Sequence, residues 1–204
     1  MISFDDKART WDDDPVKTAR AEAIAAAIRA QVPLAPALRG FEFGCGTGLL
    51  SFALREALGP ITLSDNSSGM LDVLRAKLTA RGITDMQVLQ LDLLHDPLPD
   101  AQFDLAYSAM TLHHIADTDA ALARLYTLLA PGAYLCIADL DAEDGSFHGA
   151  GFDGHNGFER SELSARAQRA GFTAVDFSTV FTLSKGDGAQ RRDYPVFLMV
   201  ARKP

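Results

Sequence analysis

The stretch Phe41-Glu42-Phe43-Gly44-Cys45-Gly46-Thr47-Gly48-Leu49-Leu50 constrains the fold more than any other part of the chain. A short apolar run reads as a buried strand, three glycines follow at alternate positions, and Leu49 to Leu58 then reads as a helix. A loop so placed lies at the carboxyl end of a strand and the amino end of a helix, where open α/β sheets bind small molecules. Gly44, Gly46 and Gly48 let the backbone turn with no Cβ in the way, and the N–H groups of the first helical turn face the crevice.

Spacing separates two classes of ligand. A dinucleotide pyrophosphate calls for Gly-x-Gly-x-x-Gly; here the pattern is Gly-x-Gly-x-Gly, and Leu49 holds the place of the third glycine. Glu42, two residues before the first glycine, repels a phosphate and attracts an ammonium or a sulfonium. S-adenosylmethionine carries both cations. A plain tight turn also explains three glycines in five residues, so the reading depends on partners further along.

The whole chain sets wider bounds. Its 204 residues suit one domain, residues 1–204, with no need of a second core. Hydrophobic residues make up 48 %, yet no apolar run approaches the ~18 residues of a membrane span, and the polar start has no signal-peptide core. A soluble, cytoplasmic protein without a membrane span is therefore expected. Cys45 and Cys136 fall in segments expected to be buried and read as reduced core thiols. The net charge of −8, from 27 acids against 19 Lys and Arg, argues against a nucleic-acid partner. Monomer and homodimer both stay open.

Before the glycine loop, Phe4, Ala8 and Trp11 lie among charges, and Asp14 can cap a helix that begins at Pro15 and runs to about Gln31. This region, residues 1–31, is either a frayed terminus or a lid. After the loop, Ile61 to Ser64 reads as a second strand ending at Asp65, 21 residues past Gly44. A carboxylate there can accept from both hydroxyls of a ribose. Capping the next helix is its competing use, but Ser67 or Ser68 can cap a helix over Gly69–Arg81. Met70, in the first turn, either joins the core or covers one face of an adenine. Met86 to Leu91 forms a third strand closing on Asp92-Leu93-Leu94, where Asp92 can accept from an exocyclic amine. Phe103 to Ser108 is the fourth.

At this point the residues resemble a known family, the class I S-adenosylmethionine-dependent methyltransferases, in particular the small enzymes that include the ubiquinone and menaquinone methyltransferases. The resemblance rests on Glu42 to Gly48, Asp65 with Met70, Leu91-Asp92-Leu93, Phe103-Asp104 through Ser108, Leu112-His113-His114-Ile115 and Leu128-Leu129-Ala130-Pro131-Gly132. It extends to the arm, where Phe4, Ala8 and Trp11-Asp12 are similar to a pattern that folds over the cofactor. By this likeness the Gly44–Gly48 loop, with Cys45, holds the methionine part of S-adenosylmethionine. Asp65 holds the ribose, Asp92 and Leu93 the adenine, and the Ser108 backbone the methionyl ammonium. S-adenosylhomocysteine is then the product and a small molecule the acceptor. Asn66 departs from the family, where an aliphatic residue usually meets the adenine.

His113 and His114 follow the fourth strand directly. Either can take a proton from the acceptor as an imidazole of ordinary affinity, or simply bond a carbonyl at a helix start. The next helix carries Leu122, Leu125 and Leu129 toward the sheet, and Ala133 to Ala138 forms a fifth strand ending at Asp139. Asp141 to Phe158 is long and glycine-rich, and loops of this length without secondary structure are usually functional or mobile; it reads as part of the acceptor pocket. Asp139, Asp141, Glu143, His148 and His155 within or beside it match no metal-binding spacing, and no metal is expected. A helix over Ser161–Ala170 and strands over Ala174–Leu183 and Tyr194–Arg202 complete the chain.

The expected fold is α/β and Rossmann-like: a seven-stranded, mostly parallel sheet with a C-terminal antiparallel strand pair and helices on both faces. Two rivals stand beside methyl transfer. One is a nicotinamide-dependent reductase, against which the glycine spacing speaks. The other is an S-adenosylmethionine-binding module without turnover, which nothing in the sequence excludes.

Overall fold

A computed structural model describes residues 4–204. The seven strands are β1 (Gly40–Phe43), β2 (Ile61–Asp65), β3 (Met86–Gln90), β4 (Phe103–Ala109), β5 (Leu129–Leu140), β6 (Thr173–Lys185) and β7 (Arg192–Arg202). They form one sheet in the order β3-β2-β1-β4-β5-β7-β6. β1 to β5 pair in parallel, and β7 runs antiparallel between β5 and β6. The order reverses between β1 and β4, which pair through Gly40 with Leu105 and Glu42 with Tyr107. Their carboxyl ends part there and open a crevice.

Among the described residues six α-helices surround the sheet: α1 (Phe4–Lys7), α2 (Pro15–Gln31), α3 (Leu49–Leu54), α4 (Ser68–Ala80), α5 (Thr118–Leu128) and α6 (Arg160–Arg169). Ile24 and Ile28 of α2, Leu50 and Leu54 of α3, and Leu71, Leu74 and Leu78 of α4 bury against one face with Leu63, Leu105 and Leu198. Leu122 and Leu125 of α5 and Leu163 and Ala167 of α6 bury against the other with Phe41, Phe43 and Phe197. The central strands β1 and β4 are therefore buried between two apolar layers and read as nearly unbroken hydrophobic runs, whereas the edge strands β3 and β6 are largely unburied.

Local chemistry sets most helix starts. The Asp14 side chain accepts from the Val16 N–H at 3.0 Å and Pro15 fills the first turn of α2. Ser67 caps α4 through the Met70 N–H, and Asp117 caps α5 through the Ala120 N–H. Differences from the sequence reading are confined to boundaries. The helix expected over Leu49–Leu58 tightens after Leu54 into a single narrow turn, Arg55–Ala57. Leu129 is the first residue of β5 rather than the last of a helical face, because it pairs with Phe103 of β4 ahead of an irregularity in that ladder.

Candidate active site

The glycine loop sits at the reversal point and takes the backbone shape only glycine adopts easily. Gly44, Gly46 and Gly48 have φ of 61°, 53° and 86°. At Gly44 a Cβ would lie 2.1 Å from Thr111 Cγ2, so the loop and the segment after β4 touch across the crevice. The Thr111 hydroxyl donates to the Gly44 carbonyl at 3.1 Å. Beside Gly46 the space is open, with Met70 Sδ 3.9 Å from where a Cβ would stand.

Asp65 joins this loop to the next strand. One carboxylate oxygen accepts from the Gly46 N–H at 2.8 Å and the other from the Ser67 N–H at 2.9 Å. Burial raises its pKa, although those N–H bonds oppose the shift. Ser67 rather than Asp65 caps α4, and a carboxylate that accepts two N–H groups keeps further lone pairs for other donors. Met70 is buried and Asn66 is exposed. Asp92 turns partly inward on its own loop: it accepts from the Leu94 and His95 N–H groups, and the His95 ring lies 3.1 Å away. Leu93 is buried.

Glu42 behaves differently from an exposed acid placed to attract a cation. It is 2 % exposed and accepts from the Ser51 hydroxyl, which lies 2.6 Å from the Tyr107 hydroxyl. Burial pushes its pKa up to about 8 against the Ser51 hydrogen bond, so it is largely neutral at pH 7. Ser108, on β4, is buried with a hydroxyl oxygen that has no hydrogen-bond partner among the described residues. An orphaned polar atom and the open side of Gly46, at the ends of adjacent strands, suit a polar ligand in this crevice.

The arm is tied to the glycine loop and to α4 through contacts the sequence did not reveal. Asp12 accepts from the Thr47 hydroxyl at 2.5 Å and pairs with Lys77 at 2.6 Å, and Lys77 also donates to the Thr47 carbonyl. Asp5 accepts from the Ser67 hydroxyl and the Gly69 N–H at the start of α4. Trp11 is half-buried between the Phe4 ring and the Lys17 ammonium, which stands 3.9 Å above its indole.

On the other side lie the histidines, in a tight helical turn, Leu112–His114. His113 is buried and its Nδ1 lies 2.6 Å from Oδ1 of Asp139, a fully buried carboxylate at the end of β5. The His113 and Leu140 N–H groups donate to the same carboxylate. The opposite ring nitrogen, Nε2, lies 3.0 Å from Nε2 of His148. His148 stacks on Phe152 at 3.8 Å, and the His114 ring meets Phe4 and Phe152 edge-on, both at 5.2 Å. Burial lowers the pKa of His114 and of His148 to about 4, so His114 lacks the ordinary affinity the sequence suggested for it.

The Asp141–Phe158 excursion is closed at its base by a bridge between those two residues and carries His148 and Phe152 to the cluster. The other acids and histidine near it go elsewhere. Asp141 pairs with Arg160, and His155 turns to the Ile115 carbonyl and Thr118. Asp139 and His148 are the partners that sequence reasoning did not assign to His113; they stand 26 and 35 residues away from it, with no local pattern joining them.

The sheet order, with β7 antiparallel between β5 and β6, is the arrangement that the resemblance to the methyltransferases implied. Residues 41–137, just under half of the chain, match the family described as methyltransferase domain. A 126-residue segment is 42 % identical to the biotin biosynthesis bifunctional protein of Bordetella avium, covering 60 % of this chain and 26 % of that protein. The demethylmenaquinone methyltransferase of Thermus thermophilus is 34 % identical over 103 residues, 50 % of this chain and 46 % of that enzyme. The chain thus matches less than half the length of either relative. In three dimensions it is similar to Haemonchus contortus phosphoethanolamine N-methyltransferase 2, solved with S-adenosyl-L-methionine. That match has a TM-score of 0.74 at 16 % identity, covering all of this chain and 60 % of that one. Among the described residues, no helix is long and apolar enough to cross a membrane.

Proposed function

We propose that this chain is a methyltransferase that moves the methyl group of S-adenosylmethionine to a small-molecule acceptor. The observation that carries the reading is the tie between Gly46 and Asp65 at the reversal point of the sheet, facing an imidazole- and aromatic-lined crevice. The Gly44–Gly48 loop, with Cys45, receives the methionine part and Asp65 accepts from the ribose hydroxyls. Asn66, Met70, Asp92 and Leu93 surround the adenine. The Ser108 carbonyl accepts from the methionyl ammonium, Glu42 stands behind the loop, and Trp11 rides on the arm that covers it. His113 and His114 face the acceptor.

S-adenosylmethionine supplies an electrophilic methyl on sulfur, open to direct displacement. The chain's part is to align the acceptor and exclude water, which requires no covalent enzyme intermediate. The arm and the Asp141–Phe158 excursion supply that exclusion from opposite sides.

Thermal melting tests the binding step. A ligand at 100 times its Kd stabilises the native state by about 2.7 kcal/mol. S-adenosylmethionine and S-adenosylhomocysteine are expected to raise the Tm, and NAD and NADP to leave it unchanged. A shift with NAD alone overturns the reading. Turnover is then read as S-adenosylhomocysteine released above background across a panel of hydroxylated and amine acceptors.

A further inference from the structure

Three imidazoles converge at the acceptor side in a way that no contact with a methionine, ribose or adenine requires. One ring nitrogen from each of His113, His114 and His148 lies within 4.8 Å of the other two. His113 is fixed most firmly. Its Nδ1 faces the buried Asp139 at 2.6 Å, which leaves Nε2 as the nitrogen presented to His148 at 3.0 Å. A histidine whose one nitrogen is held by a carboxylate while the other faces further imidazoles is the usual setting of a metal-bound histidine.

We infer that His113, His114 and His148 hold one first-row transition-metal ion, with an open coordination position toward the crevice. Imidazole donors favour zinc, cobalt, nickel, copper or ferrous iron over magnesium or calcium, which prefer oxygen. Three protein ligands with a vacant fourth place is the arrangement that lets a metal bind an exogenous oxygen or nitrogen donor. With bonds of about 2.0–2.1 Å, the nitrogens of a tetrahedral site stand roughly 3.3 Å apart; His113 and His148 already stand 3.0 Å apart, and all three nitrogens lie within 4.8 Å of one another. His148 has room to adjust its ring toward the other two. It is exposed, on an excursion where Gly149 and Gly151 have φ of 82° and 85° and no atom within 4 Å of a Cβ position. Lys185, the ammonium near this loop, is directed to the Phe147 carbonyl and ring. The inference does not depend on methyl transfer, since metal uptake is read without turnover.

Tag-free full-length protein, stripped with chelator and dialysed, is titrated with Co²⁺ and followed by visible absorption and calorimetry. One equivalent is expected, with the spectrum of a four- or five-coordinate nitrogen-ligated ion. His148→Ala and His114→Ala should each abolish that spectrum. Asp139→Asn, which keeps the shape but weakens the hold on Nδ1, should bind Co²⁺ about 10- to 100-fold more weakly. His95→Ala, on the exposed loop after β3, should bind as the wild type does. His148 is exposed, so its variant decides the matter even if His114→Ala fails to fold; the S-adenosylhomocysteine shift in Tm reports on the fold separately. Wild type that takes up no Co²⁺, or a His148→Ala variant that binds it as His95→Ala does, overturns the inference and leaves the methyltransferase reading untouched.

Discussion

At the scale of single residues, Glu42 shows how position changes what an acid can do. As a charge it repels phosphate and attracts a sulfonium, but in the folded chain it is buried against Ser51 and holds its proton to about pH 8. A carboxyl whose folded pKa lies above its unfolded value stabilises fully below the unfolded pKa, and that contribution is lost as pH rises through the folded one. The Glu42 contribution should therefore fall between about pH 5 and pH 8, with a slope of up to about 1.4 kcal/mol per pH unit, while the lowered pKa values of His114 and His148 act in the opposite direction below about pH 6.5. Asp65, also raised by burial, acts in the same direction as Glu42. The difference between wild type and Glu42→Gln isolates the Glu42 part. Melting curves from pH 5 to 8.5 check it, and parallel pH profiles for the two proteins would show that Glu42 is ionised throughout.

Between elements, the arm and the glycine loop are held by Asp12, which bridges Thr47 and Lys77. Partly exposed ion pairs are worth little individually, so Asp12→Ala should loosen the arm by about 1 kcal/mol and leave the fold intact. If the arm retains the cofactor, S-adenosylhomocysteine should dissociate roughly fivefold faster from this variant. Stopped-flow release measures this, and an unchanged rate would make the arm a packed terminus and nothing more. The sequence offered both uses for the arm because Phe4, Ala8 and Trp11 show its apolar side but not what its acids meet. By contrast, β1, the glycine loop and the step to Asp65 were legible, since an apolar run, a turn and a 3.6-residue period are all local signals. Leu129 misled because its spacing from Leu122 and Leu125 continues the helical period, while pairing to Phe103 decides its fate. The histidine cluster was half-legible. His113 and His114 stand out as neighbours, but Asp139 and His148 reach them only through the ends of β5 and the excursion after it.

Across the whole molecule, the arm and the Asp141–Phe158 excursion come from distant parts of the chain and meet at one ring. Phe4 of the arm and Phe152 of the Asp141–Phe158 excursion both pack edge-on against His114, each at 5.2 Å. The arm is tied to the loop and α4 by Asp5 and Asp12, while the excursion rests on the ends of β5 and β7 through its Asp141–Phe158 bridge and the Ser146–Tyr194 hydroxyl contact at 2.8 Å. A ligand beneath the arm should therefore slow the opening of both covers, since His114 joins them. Local openings that dismantle a site are suppressed by the ligand's binding free energy, up to about 100-fold at 100 times Kd. Saturating S-adenosylhomocysteine is thus expected to slow amide hydrogen exchange in residues 4–14, 44–48 and 141–158. In β1, β4 and β5 exchange proceeds through opening of the core, so protection there should follow the global stability instead. Hydrogen exchange resolved by peptide distinguishes the alternatives: protection limited to residues 44–48 would mean that the covers move independently of the cofactor, and protection of the arm without the excursion would place the acceptor's cover under the acceptor's own control.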